Sequence, residues 1–104
     1  MNKYSIQFSK EARNDLIEIY SYIKNELKEP NIANKLLNKI KKEIYKLENY
    51  SKIYSVIDDN YLRRQDIRKI KISNYLVFYC INDENKIISI LRVLYARRNW
   101  LKLL

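Results

Sequence analysis

The side chains best suited to chemistry lie in two short stretches. Residues 61 to 72, YLRRQDIRKIKI, carry five basic residues against Asp66, a net +4, and residues 92 to 102 carry Arg92, Arg97, Arg98 and Lys102 with no acid, another +4. Lys69 and Lys71 are two apart in a β-rich run and therefore share one face, with Arg68 on the other. Cleaving RNA through its 2′-hydroxyl requires a base for the nucleophile, an acid for the leaving oxygen and cations for the phosphorane. The chain has no histidine, so such a reaction would fall to Lys69, Lys71, Arg97 and Arg98, with tyrosines and scattered carboxylates in support. The plainer reading of the same lysines is an electrostatic platform.

The terminal cluster of Arg92, Tyr95, Arg97, Arg98 and Trp100 admits two readings. Aromatics interleaved with arginine suit stacking on bases and gripping phosphates, and equally suit a protein-protein hot spot. Alternatively Trp100 and Leu101 fold back on the core and the arginines face solvent. Together with Arg64, Arg68, Lys69 and Lys71, the cluster makes up the expected binding surface for a target or partner.

Composition removes several mechanisms. Without histidine there is no Ser-His or Cys-His catalysis, and without glycine there is no P-loop or dinucleotide-binding turn. Cys80, the only cysteine, has no partner for a disulfide and reads as a small buried hydrophobe within YLVFYCI. Asp58 and Asp59 are adjacent but lack a third ligand at recognisable spacing, so neither a metal nor a cofactor is expected. A net charge of +9 and a pI near 9.6 point to an anionic partner.

The elements that must position these residues are legible from periodicity. At 104 residues the chain makes one domain. Tyr4, Ile6 and Phe8 alternate with polar neighbours, which predicts a short strand over about residues 3 to 8. Ser9 stands at an N-cap position, and Ala12, Leu16, Ile19, Tyr20, Ile23 and Leu27 mark a helix from about 10 to 28. Pro30 suits the first turn of a second helix, whose stripe of Ala33, Leu36, Leu37, Ile40, Ile44 and Leu47 runs to about residue 49. Lys35, Lys39, Lys42 and Lys46 belong to its solvated face. Three β-rich runs at about 67 to 72, 75 to 81 and 86 to 95, separated by SN and NDEN, predict an antiparallel meander. The expected fold is α+β, in the order β-α-α-β-β-β, with a helical hairpin packed on one face of a curved antiparallel sheet. No apolar run is long enough to span a bilayer, and the N-terminus lacks the apolar middle of a signal peptide, so a cytoplasmic protein is expected.

This order, the length and the run NYLVFYCINDENKIISILRVLYARRNW resemble the RelE/ParE superfamily of bacterial type II toxins over essentially the whole chain. The family's Y-x-V/I-x-Y strand is matched by Tyr75, Val77 and Tyr79. Its I-x-R-V-L-H-A/G-R-x-x-W/Y ending is matched by Ile90, Arg92, Val93, Leu94, Ala96, Arg97 and Trp100, with Tyr95 in place of the usual histidine. The resemblance implies a toxin held in check by an acidic antitoxin in a hetero-oligomer, with no membrane partner.

Two target classes are compatible with the resemblance, and the departures help to choose. RelE-like toxins cut mRNA on the ribosome and carry an arginine directly after the tyrosine that opens the central strand, where this chain has Leu76. They often add a tyrosine or histidine near the end, where this chain reads WLKLL, although Lys69 and Lys71 do match a RelE-type lysine pair. The RVLYARRNW ending and the long helical hairpin are closer to ParE, whose members inhibit DNA gyrase, and this is the favoured expectation. A third reading is a non-toxic basic module that binds nucleic acid through phosphate contacts alone.

Overall fold

The computed structural model describes residues 3–52, 66–98 and 102–103. Two helices cover one face of a four-stranded sheet, in the order β1 (Ser5–Phe8), α1 (Lys10–Ser21), α2 (Pro30–Tyr45), β2 (Arg68–Ile72), β3 (Tyr75–Asn82) and β4 (Ile87–Tyr95). The α+β class and the element order are those the sequence predicts.

Ser9 starts α1 and also ties it to the sheet. Its Oγ accepts from the Ala12 N–H at 2.9 Å, satisfying one of the orphan donors of the first turn, and donates to the Leu91 carbonyl at 2.8 Å. The helix does not continue regularly to residue 28. Tyr22–Glu26 form a π-helical turn, in which the Leu27 N–H reaches back five residues to the Tyr22 carbonyl at 3.1 Å. The wider turn rotates the residues beyond it relative to the buried stripe, so Ile23 stays buried while Leu27 emerges half-exposed. Pro30 occupies the first turn of α2, as expected, and a 3₁₀ turn over Lys46–Glu48 closes the hairpin's second arm.

The sheet order is β1-β4-β3-β2. β2, β3 and β4 form the predicted antiparallel meander, but β1 joins the edge of β4 in parallel, pairing Ser5 with Ile87 and Phe8 with Ile90. The sheet is therefore mixed rather than wholly antiparallel. Alternation reveals a strand but not the edge it joins, and here the helical hairpin carries the chain across the sheet before β2 begins.

The sheet is buried on both faces. On the helix side Ala12, Ile40, Ile44 and Leu47 pack against Ile70, Val77, Tyr79, Ile88, Ile90 and Val93. On the far side Ile67, Leu76, Phe78 and Leu94 form a second cluster joined by Leu91, Ala96 and Leu103. That is why β3 reads as an unbroken apolar run: Leu76, Val77, Phe78 and Tyr79 are all buried, on alternating faces. Buried Tyr79 donates its hydroxyl to the Ser51 carbonyl at 3.0 Å, so the one polar atom it takes inside is satisfied.

Candidate target and partner surfaces

β4 contains an irregularity that shapes the site. Phe78 pairs with Arg92 and Tyr79 with Ile90, leaving Leu91 as an extra residue. This β-bulge places Ile90 and Val93 in the same helix-side core although they are three apart, with Leu91 and Arg92 between them. Arg92 turns to α1, where its Nε donates to Asp15 Oδ2 at 2.7 Å and its Nη2 to Asp15 Oδ1 at 2.9 Å. The same carboxylate accepts from the Val93 N–H at 3.0 Å, and Arg92 Nη1 donates to the Leu103 carbonyl at 3.2 Å. The hydrogen bonds that Arg92 donates to Asp15 hold its pKa above the ordinary value. Arg92 is thus occupied inside the molecule, whereas the sequence groups it with the exposed arginines.

The other predicted residues divide among separate places. Tyr95 is exposed at the end of β4 and stacks edge-on against Tyr75, with ring centroids 5.7 Å apart. Arg97 and Arg98 are exposed in the turn after β4, closed by the Arg98 N–H to the Tyr95 carbonyl at 3.0 Å. Lys69 and Lys71 are exposed on edge strand β2, opposite Phe78 and Leu76 and facing away from the helices. Arg68 takes the helix-side alternation with Ile70 and Ile72 and lies 3.9 Å from Asp66. Arg64, Trp100, Asp58 and Asp59 fall outside the described residues. Among the described residues no group of three or more metal-ligating side chains is gathered. Burial raises the Cys80 thiol above its ordinary pKa, with nearby Asp66 adding to it.

A groove that the sequence does not announce opens between the hairpin and the sheet. It encloses about 1200 Å³, and its apolar wall includes Tyr22, Leu27, Ile32, Leu36, Tyr75 and Tyr95. Tyr22, Leu27 and Ile32 are about half exposed, an unusual amount of apolar surface to leave wet on one patch. Lys39 and Arg98 stand at its rim, with Asp15 and Glu18 also lining it. Two sequence signals could have pointed here. Ile32 lies off the Ala33–Leu36–Ile40 stripe, and Asp15 is a carboxylate on the buried stripe of Ala12, Leu16 and Ile19.

A family model described as the ParE toxin of the type II toxin-antitoxin system, parDE, matches residues 6–100. The chain belongs to the ParE toxin family. Solved structures similar to this ParE-family chain show the same fold. The chromosomal ParDE system from P. aeruginosa aligns over 93% of this chain and all of its own, with 18% identity and a TM-score of 0.74. A double mutant of E. coli toxin RelE in the free state aligns over 97% of this chain and 92% of its own, at 16% identity and a TM-score of 0.69. The RelBE2 toxin-antitoxin complex from Mycobacterium tuberculosis aligns over 89% of this chain and 98% of its own, at 19% identity and a TM-score of 0.60. No curated protein matches the sequence. No helix among the described residues is long and apolar enough to cross a membrane.

Proposed function

We propose that this ParE-family toxin acts in the cytoplasm by inhibiting DNA gyrase and blocking replication until an antitoxin neutralises it. The observation that carries the choice is Leu76. RelE-like nucleases place a phosphate-gripping arginine at this position, and here it is a leucine 7% exposed, packed among Ile67, Phe78 and Leu94. A site lacking that cation loses several kcal/mol of transition-state stabilisation, by the measure of typical donor deletions, about 3 to 4 kcal/mol. The exposed cations Arg97 and Arg98 lie beside Tyr95 and suit recognition of a macromolecular surface.

The groove is the proposed seat of the antitoxin in a hetero-oligomer. The similar structures include toxins named together with their antitoxins, ParDE and RelBE2. The groove suits an amphipathic segment whose apolar side meets Tyr22, Leu27 and Ile32 and whose acidic side chains meet Lys39 and Arg98 at the rim. The remaining acidic chain would spread over Lys69 and Lys71 on the exposed face of β2, so binding weakens as salt rises.

The alternative, a ribosome-dependent mRNA endonuclease, draws on Lys69 and Lys71, which share an exposed face. Purified gyrase incubated with DNA and the toxin separates the two. Trapped cleaved DNA with continuing translation supports the gyrase reading, and cuts in ribosome-bound transcripts with unaffected gyrase overturn it. Tight binding to random DNA with no effect on growth would instead favour the non-toxic basic module.

A further inference from the structure

The Arg92 guanidinium joins three segments that are far apart in sequence. Two of its nitrogens hold Asp15 on α1, its own backbone belongs to β4, and its third nitrogen holds the Leu103 carbonyl. The Leu103 side chain packs with the apolar cluster on the opposite face of the sheet. The chain from Arg92 to Leu103 is therefore anchored at both ends by one side chain, and Arg97 and Arg98 lie within it. The near end is fixed further by the Ala96 N–H to the Asn74 carbonyl at 2.8 Å. Pinning both ends of a segment removes conformational freedom that it would otherwise lose on meeting a partner.

We propose that Arg92 is a positioning residue: it clasps the C-terminal segment to α1 across the β4 bulge and so presents Arg97 and Arg98 to the target, without touching the target itself. This rests on the reading of Arg97 and Arg98 as the working surface. Geometry explains why arginine is required. A lysine ammonium can pair with Asp15 but has no planar fork with which to reach the Leu103 carbonyl at the same time.

The test uses the full chain with Arg92→Lys and, separately, Leu103→Asp, which leaves the Asp15–Arg92 pair intact but removes the apolar seat. Three quantities are read for each: thermal unfolding, the rate at which carboxypeptidase releases the C-terminal residues, and inhibition of growth. Both variants should unfold cooperatively, release the terminus about tenfold faster, the equivalent of one charge-assisted hydrogen bond, and lose toxicity to a similar degree. Unchanged release in Arg92→Lys overturns the clasp. Full toxicity in Leu103→Asp beside an inactive Arg92→Lys also overturns it, because Arg92 would then act at the target directly. Faster release in both variants, with Arg97→Ala and Arg98→Ala still toxic, supports the clasp and fails the assignment of Arg97 and Arg98 as the working surface.

Discussion

Asp15 and Arg92 lie 77 residues apart and meet in a two-pronged ion pair, 2.7 and 2.9 Å long, beneath which the Val93 N–H completes the coordination of the carboxylate. Both side chains are largely withdrawn from solvent, 8% and 20% exposed. Leaving a partly buried guanidinium and a backbone donor without their acceptor is more damaging than the net worth of the pair. Asp15→Ala should therefore destabilise the fold by on the order of 3 kcal/mol in chemical denaturation. Asp15→Asn, which keeps one acceptor oxygen, should cost less.

The same pair shows where the sequence is legible and where it is not. Periodicity locates all four strands and both helices, because Ile6, Ala33, Ile40, Ile70, Val77 and Ile88 repeat at the spacing their elements require. It misplaces the end of α1, since a π-helical turn at Tyr22–Glu26 differs from an α-helix by one hydrogen-bond step and leaves the apolar pattern nearly intact. Arg92 sits in a basic stretch and reads as surface. Its partner Asp15 lies 77 residues away on α1, a tertiary contact that periodicity along β4 does not carry. The groove is hidden for a similar reason, because its walls come from both helices and the ends of two strands.

Groove residues on the helical hairpin should separate neutralisation from toxicity. Leu27→Arg and Ile32→Asp replace half-exposed side chains, so stability should change by no more than about 0.5 kcal/mol. Antitoxin affinity should fall about thirtyfold, as for loss of one apolar anchor, while gyrase inhibition persists. Titration calorimetry with the antitoxin and growth assays on co-expression check both halves. Full affinity in both variants would move the antitoxin off the groove.

The absence of glycine leaves a measurable imprint on the turns. Among the described residues Lys28, Asp66, Ser73 and Lys86 take positive φ, with Lys28 at 55° in the connection between the helices. The left-handed region costs a residue with a Cβ about 1 kcal/mol, and glycine nothing comparable. Exposed Lys28 makes a clean test. Lys28→Gly should raise the unfolding free energy by up to about 1 kcal/mol, offset in part by the freedom glycine adds to the unfolded chain.

The turn between β3 and β4 should lend acid sensitivity. Asp83 accepts from the Tyr4 hydroxyl and pairs with Lys52 at 3.0 Å, and these two donors hold its carboxyl below the ordinary carboxylate range. A depressed folded pKa contributes stability above the unfolded value of 3.8, and the contribution is lost as pH falls through the folded one. Lys52 is shifted the opposite way, upward from 10.5, chiefly by its hydrogen bond to Asp83, so its share persists until alkaline pH. The stability gap between wild type and Asp83→Asn should thus be present near neutrality and close in strong acid. Denaturation curves across that range measure it, and a gap independent of pH would mean that Asp83 acts only through packing.

The exposed arginines provide the most direct test of the working surface. Arg97→Ala and Arg98→Ala remove charges from a solvent-facing turn, so neither should shift the melting temperature appreciably. If they contact gyrase, each should weaken inhibition on the order of tenfold or more, because arginine beside an exposed tyrosine is the composition of an interface hot spot. Lys69→Ala and Lys71→Ala, on the far face of edge strand β2, should leave inhibition of gyrase nearly unchanged and lower only the salt dependence of antitoxin binding. The opposite ranking, with the lysine variants harmless and the arginine variants fully toxic, would place the active surface on the lysine face and return the nuclease reading to first place.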